Sequence, residues 1–287
     1  MINFTNSLKL KNISMEHFVV DSKRNKKITI DVNFSKTKDS PLIIFSHGFK
    51  GFKDWGAFNL ISNIFANSGL NFLKFNFSHN GISQENLLEF TDLDSFGHNN
   101  LSIELEDLDS VINWAIKNLY EKIDIKQIYL LGHSRGAGIS ILTTAVNSNI
   151  KKLILWGSVS DFEKRIINEK VKLWKERGVV YVFNSRTNQQ MPLYYQFYQD
   201  YIKNKNKFSI SNACNNLNIP CLIVHGDKDK TVDYSEAKVL NKNISNSILL
   251  KIKDSDHTFN IKHPFEKKDL SKQLKIVIAE SISFFKN

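Results

Sequence analysis

An α/β fold with a mostly parallel central sheet, helices on both faces, an N-terminal antiparallel hairpin and an inserted cap is what this 287-residue sequence predicts. Three observations predict it. Strand-like and helix-like segments alternate after residue 40. Strand segments such as "LIIFS" (42–46) are short continuous apolar runs, the pattern of strands buried on both faces rather than half-solvated. The alternation is interrupted once, over 158–212, by a charged and aromatic stretch.

Residues 16–34 ("EHFVVDSKRNKKITIDVNF") hold two β-rich runs around a polar stretch at 22–26, hence a hairpin that opens the sheet. The buried run at 42–45 follows and ends in Ser-His-Gly. A helix is predicted over 53–67, a strand over 71–77, and the clearest helix over 99–120, where Leu101, Leu105, Leu108, Ile112, Ala115 and Leu119 share one face. Glu104, Glu106, Asp107 and Asp109 fall mostly opposite that face and are read as a solvated surface. A strand at 127–131, a helix at 135–146 and a strand at 152–156 continue the series. Beyond the interruption come a strand at 220–225, a helix at 234–240, a strand at 247–252 and a final helix at 270–285. One core (1–157 and 213–287) with 158–212 inserted as a cap is therefore expected, with ligand chemistry at the carboxyl ends of the parallel strands. The cap's aromatic residues, among them Trp174, Tyr181, Tyr194, Phe197 and Tyr201, form either a substrate pocket or the cap's own small core.

Composition excludes several function classes. Hydrophobic residues at 41% and charged residues at 24% describe a globular chain able to bury a large core. No apolar run approaches the roughly 18 residues that cross a bilayer, and the first ten residues lack the basic start and apolar centre of a leader. A cytoplasmic protein without a membrane partner is expected. Cys214 and Cys221 are the only cysteines, too few for a disulfide framework or a zinc site. The net charge of +10 comes from scattered lysines, often beside asparagine, with no arginine-rich stripe, so nucleic acid is not an expected partner, whereas the field favours anionic substrates. A homodimer is allowed. There is no His-Glu-x-x-His, no His-x-His pair and no Walker loop, and "GAGIS" (136–140) has Ile141 where a dinucleotide fingerprint needs its third glycine. No metal and no cofactor are expected.

The chain has 12 glycines, and "YLLGHSRGAG" (129–138) places three of them within seven residues around one serine. Gly132-His133-Ser134-Arg135-Gly136 follows a strand and opens a helix. A strand that turns into a helix within one residue holds the serine in strained dihedrals, and side chains two positions either way would collide with it. Ser134 is thereby lifted into a cleft at a helix N-terminus, whose backbone N–H groups favour a developing negative charge. A serine nucleophile needs a histidine base and an acid to orient it. "VHGDKDKTV" (224–232) offers Asp227 and Asp229 just after one strand, and "KDSDHTF" (253–259) offers His257 just after the next. The loop "FSHGFKGFKDW" (45–55) supplies the backbone N–H of Phe49 as one oxyanion donor, with that of Arg135 as the second. His47, His133 and His225 are read as braces for these loops, and His79 as a turn residue or a cleft residue.

These motifs, "HGF" (47–49), "GHSRG" (132–136), "HGDKDKTV" (225–232) and "DHTF" (256–259), resemble those of the α/β-hydrolase superfamily, over nearly the whole chain from about residue 16. The resemblance assigns the acid to Asp229 rather than Asp227. It implies that Ser134 attacks an acyl carbonyl, that His257 relays the proton and activates water, and that no cofactor takes part. The insertion is similar to the lids of cinnamoyl or feruloyl esterases and of serine aminopeptidase-like members. Dienelactone hydrolases are similar in outline but carry cysteine where this chain has Ser134. The expected function is hydrolysis of a small to medium acyl or aromatic carboxylic ester. A thioesterase or small-peptide hydrolase with the same residues, and a ligand-binding protein with little turnover, are the alternatives.

Overall fold

The hydrophobic runs at 42–46, 71–75, 128–133, 150–156, 221–226 and 247–252 are strands of one eight-stranded sheet in the structure, a computed structural model that describes residues 13–166, 171–267 and 269–287. Strands β1 (Met15–Asp21) and β2 (Lys27–Asn33) form the antiparallel hairpin, closed by a turn around Asn25. Then follow β3 (Leu42–Ser46), α1 (Phe58–Asn67), β4 (Asn71–Phe75), α2 (Leu93–His98), α3 (Leu101–Asn118), β5 (Ile128–His133), α4 (Arg135–Thr144) and β6 (Ile150–Trp156). The insertion contains α5 (Glu163–Ile166), α6 (Val171–Arg177), β7 (Val179–Asn184), β8 (Gln189–Tyr194), α7 (Gln196–Lys203) and α8 (Ile210–Asn215). The chain ends with β9 (Cys221–Gly226), α9 (Tyr234–Asn243), β10 (Ser247–Ile252) and α10 (Lys272–Lys286).

The sheet order is β1-β2-β4-β3-β5-β6-β9-β10, parallel from β4 through β10 and antiparallel only where β2 meets β1 and β4. Successive side chains of a strand point to opposite faces, so a strand covered on both sides must be apolar throughout. In β3, Leu42 and Ile44 join the core under α3 and α4, while Ile43 and Phe45 join the core under α1 and α10. Each core holds enough large buried side chains to make this sheet the rigid frame of the molecule.

Several boundaries differ from the sequence reading, each for a local reason. The helix expected from residue 53 starts at Phe58, because Lys53 and Asp54 turn inward. Lys53 donates to Asp31 at 2.6 Å, and Lys74 donates to Asp54 at 2.6 Å and also to Asp31, a buried four-charge cluster that ties β2 and β4 to the loop after β3. The long central helix starts at Leu101, where the Asn100 side chain caps it by accepting from the N–H of Ile103, and a separate short helix, α2, precedes it. The acidic face of this helix is a correction: Glu104 and Asp107 are buried, not solvated, because the loop after β4 and helix α7 cover that face. Only Glu106 and Asp109 lie toward the exterior, paired with Arg24 and Lys23.

No helix among the described residues is long and apolar enough to cross a membrane. The opening ten residues, read above as no leader, lie outside the described residues. Cys214 and Cys221 are buried free thiols, and burial pushes both thiols up, that of Cys214 to about 12 and that of Cys221 well above the ordinary thiol range.

Candidate active site

The β5–α4 junction sets the site. Ser134 stands between strand and helix at φ 57° and ψ −121°, a strained position for a residue with a Cβ. The flanking glycines make the turn sterically feasible: a Cβ on Gly132 would lie 2.4 Å from Ala137 Cα, and one on Gly136 would lie 2.3 Å from the His47 carbonyl oxygen. Neither neighbour is a flexible side-chain end. The same turn presses the β3 loop against the serine, since a Cβ on Gly48 would lie 2.8 Å from Ser134 Cβ.

Adjacent strands bring the other groups to this edge. Past the end of β9, Asp229 accepts from the N–H groups of Thr231 (2.8 Å) and Val232 (2.9 Å) through Oδ1. Past the end of β10, His257 lies with Nδ1 2.6 Å from Asp229 Oδ2 and Nε2 2.9 Å from Ser134 Oγ. Asp227 serves elsewhere, accepting from the N–H of Asp254 at 2.8 Å. Burial alone would raise the Asp229 carboxyl, yet hydrogen bonds from His225 and His257, the imidazole charge and the Val232 N–H outweigh it and hold it far below the usual carboxylate range. Asp229 is therefore a fixed anion. An imidazole whose Nδ1–H is held by it presents Nε2 as the acceptor for the serine proton.

Three other histidines hold loops. His133 Nε2 donates to the carbonyl of His257 (2.9 Å), and burial, reinforced by the neighbouring His257, drives its pKa down to about 3, so it stays neutral. His47 Nδ1 donates to the Gly48 carbonyl (2.9 Å), and burial lowers it to about 4. His225 Nε2 donates to the carbonyl of Val232 (2.8 Å), fixing the loop that carries Asp229. His79 lines neither cavity beside Ser134; it sits in the turn after β4, against the Ser78 hydroxyl (2.8 Å).

The backbone N–H groups of Phe49 and Arg135 donate to no acceptor among the described residues. The Arg135 side chain was not singled out from sequence, yet it bolts the site together. Its guanidinium lies 3.2 Å from buried Glu104, 4.0 Å from the ring centre of Phe49 and 5.2 Å from that of Phe197 in the insertion. The only sequence signal was its place inside the serine motif.

Two cavities meet at Ser134. One, of about 360 Å³, is mostly apolar, with Val159, Phe162, Trp174 and Phe197 among its lining residues, and its two arginines, Arg135 and Arg165, are paired with Glu104 and Glu236. The other, of about 590 Å³, is lined by His257, Lys50, Trp55, Arg186, Lys228 and Lys230 among others. The aromatic residues of 158–212 divide by position. Trp174 and Phe197 face the apolar cavity, Tyr195 and Tyr198 stack on each other at 5.3 Å, and Tyr201 stacks on Phe208 at 6.1 Å. Strand β7, which the sequence reading left undescribed, separates the two cavities through Val182. Its signal was present in "VVYVFN", a β-branched and aromatic run before the turn-forming "SRTN". Among the described residues no group of three or more metal-ligating side chains could hold a metal ion.

Comparison with known proteins agrees with this fold. The chain is 28% identical over 163 residues to serine hydrolase BPHL of Homo sapiens, covering 50% of this chain and 53% of that protein, so it spans about half the length of the curated relatives it matches. Its fold is similar to that of Est1E from Butyrivibrio proteoclasticus, solved with ferulic acid bound (TM-score 0.73, 19% identity, 93% of this chain and 97% of that one). It is also similar to an alpha-beta serine hydrolase homologue from Coxiella burnetii (TM-score 0.58, 16% identity, 94% and 95% covered). The BD-FAE family model matches residues 93–244, a span that includes Ser134 and Asp229 and stops before His257. That match takes in just over half of the sequence and agrees with the sheet order, so the chain is an α/β hydrolase that belongs to the BD-FAE family.

Proposed function

We propose that this protein is a serine-dependent carboxylic ester hydrolase working through an acyl-enzyme. Ser134 Oγ adds to the ester carbonyl while its proton passes to His257 Nε2. The carbonyl oxygen becomes an oxyanion and accepts from the backbone N–H groups of Phe49 and Arg135. The tetrahedral centre collapses as His257 returns the proton to the leaving oxygen, and an alcohol departs. Water then takes the serine's part: it adds to the acyl carbon as His257 removes its proton, the acyl–oxygen bond to Ser134 breaks as His257 returns that proton to Ser134 Oγ, and the carboxylic acid leaves. Asp229 holds the imidazole's orientation and offsets its positive charge in both halves.

The observation that supports this reading most directly is the continuous hydrogen-bond chain from Ser134 Oγ through His257 to Asp229, assembled from three different strand ends. The strained dihedrals of Ser134 and the unspent donors at residues 49 and 135 add to it. Residues 158–212 act, in this reading, as a cap that supplies the wall of an apolar acyl pocket. A fluorophosphonate probe tests the proposal. Stoichiometric labelling at Ser134, lost in Ser134→Ala and His257→Ala, together with turnover of short-chain esters, is the expected result. A folded protein that is neither labelled nor active on esters overturns it.

A further inference from the structure

The larger of the two cavities at Ser134 is rich in positive charge and poor in anything to balance it. Lys50, Arg186, Lys228 and Lys230 line it, and none of the four forms an ion pair among the described residues. Elsewhere on the molecule lysines such as Lys23, Lys122 and Lys205 do have carboxylate partners. The sole acidic residue on this wall is Asp256, whose Oδ1 already accepts from the N–H groups of Thr258 (2.9 Å) and Asn260 (2.7 Å) and from the Thr258 hydroxyl (3.1 Å).

The cations are placed rather than scattered. Lys50 adopts φ 55°, and its two anchors lie in the β7–β8 hairpin: its ammonium donates to the Phe183 carbonyl (3.2 Å), and its own carbonyl accepts from Arg186 Nη2 (3.1 Å). The Arg186 guanidinium lies 5.3 Å from the ring centre of Trp55. Burial, and then the charge of Arg186, hold the Lys50 ammonium below the ordinary lysine range. Two more donors belong to residues of this wall. Trp55 Nε1 and Asn184 Nδ2 are shielded from solvent and have no acceptor. A buried donor left without an acceptor is unfavourable, and so is a pair of like charges without a counter-ion.

His257 lines this cavity and not the apolar one. The group that departs must lie on the side of the imidazole that protonates it, so this cavity receives the leaving group while the apolar cavity receives the acyl chain. Resting on the ester-hydrolase reading, the geometry points to a substrate class: esters of an apolar acid whose alcohol portion carries an anionic group, a carboxylate or a phosphate, recognised by Lys50 and Arg186 with Lys228 and Lys230 at the rim.

Two butanoyl esters test this, 4-butanoyloxybenzoate and its neutral methyl ester, each rate divided by its own hydroxide-catalysed rate. Wild-type enzyme is expected to favour the anionic ester in normalised kcat/KM, and Arg186→Gln or Lys50→Gln to lower that preference about tenfold, the size of one hydrogen bond to a charged group. Arg186→Lys should keep part of it. A normalised ratio at or below one in the wild type, or a ratio unchanged in both glutamine variants, overturns the inference and leaves the esterase reading standing. Titration calorimetry with the product 4-hydroxybenzoate reads the same subsite without turnover. Binding weakened about tenfold in Arg186→Gln supports the anion site even if no ester is cleaved, and equal binding in both proteins overturns it.

Discussion

Replacing Arg135 with methionine separates what its backbone does from what its side chain does. The guanidinium is 3.2 Å from Oε1 of Glu104, whose side chain is only 5% exposed. Without Arg135 that carboxylate keeps one donor, Asn99 Nδ2 at 2.8 Å, while its Oε2 has no partner already. Breaking a buried ion pair from one side costs about 3–5 kcal/mol, and the surviving Asn99 bond places Arg135→Met at the lower end, about 3 kcal/mol. The double variant Glu104→Gln with Arg135→Met leaves no buried charge, so it should lose only about 1 kcal/mol and be more stable than the single variant. Urea unfolding followed by tryptophan fluorescence measures both. Arg135→Met as stable as wild type, or a double variant less stable than the single one, refutes the idea that Glu104 depends on this partner. Activity gives the second readout. Methionine retains the N–H at residue 135, so kcat should fall about tenfold through a loosened Phe49 loop, far less than in Ser134→Ala. Equal losses in the two variants would mean that the side chain, not the backbone, carries the function.

Three further outcomes follow from the same geometry. Asp229→Asn keeps an acceptor for the N–H groups of Thr231 and Val232 but removes the anion beside His257, so kcat should fall by roughly 10⁴ with little change in melting temperature; a loss under tenfold would remove Asp229 from the proposed mechanism. In Gly136→Ala the new Cβ meets the backbone oxygens of His47 and Ser46 at 2.3 and 2.4 Å, which forces the β3 loop off the serine; about a hundredfold loss of kcat is expected, and an unchanged rate would show the loop to be compliant. Asp107 concerns pH: burial foremost, with the charges of Glu104 and Glu106, raises its carboxyl to about 7 against the opposing hydrogen bond from Ser78. A carboxyl raised on folding favours the protonated native state, so its contribution is full below about pH 4, the ordinary aspartate value, and is lost as pH rises through about 7. Asp107→Asn should flatten the fall in melting temperature between these limits, and superimposable profiles for the two proteins would contradict the assignment.

How much of this was legible in the sequence depends on what kind of contact each feature needs. Leu42 through Phe45 read as a doubly buried strand because burial on two faces removes alternation, a purely local signature. Ser134 read as an elbow residue because the clash at Gly132 and Gly136 is also local, within a few bonds of the turn. Asp229 and His257 were placed by a further regularity, since parallel strands in series deliver their carboxyl ends to one edge whatever the helices between them do. Glu104 and Asp107 were misread for the opposite reason. Helical periodicity reports which face meets the sheet, and nothing in it shows that the loop after β4 and helix α7 fold over the other face. The apolar cavity is harder still, being assembled from Val159 and Phe162 after β6, Trp174 of α6, Val180 of β7 and Leu193 of β8, none of which carries a motif. In the proposed reading, the chemistry thus rests on short motifs at strand ends, whereas substrate choice rests on how residues 158–212 pack back over them. That division has a physical consequence: substitutions in β7 and β8 can redirect what enters the site while leaving the hydrogen-bond chain from Ser134 to Asp229 untouched, because its three residues lie past the ends of β5, β9 and β10 and none lies on the hairpin.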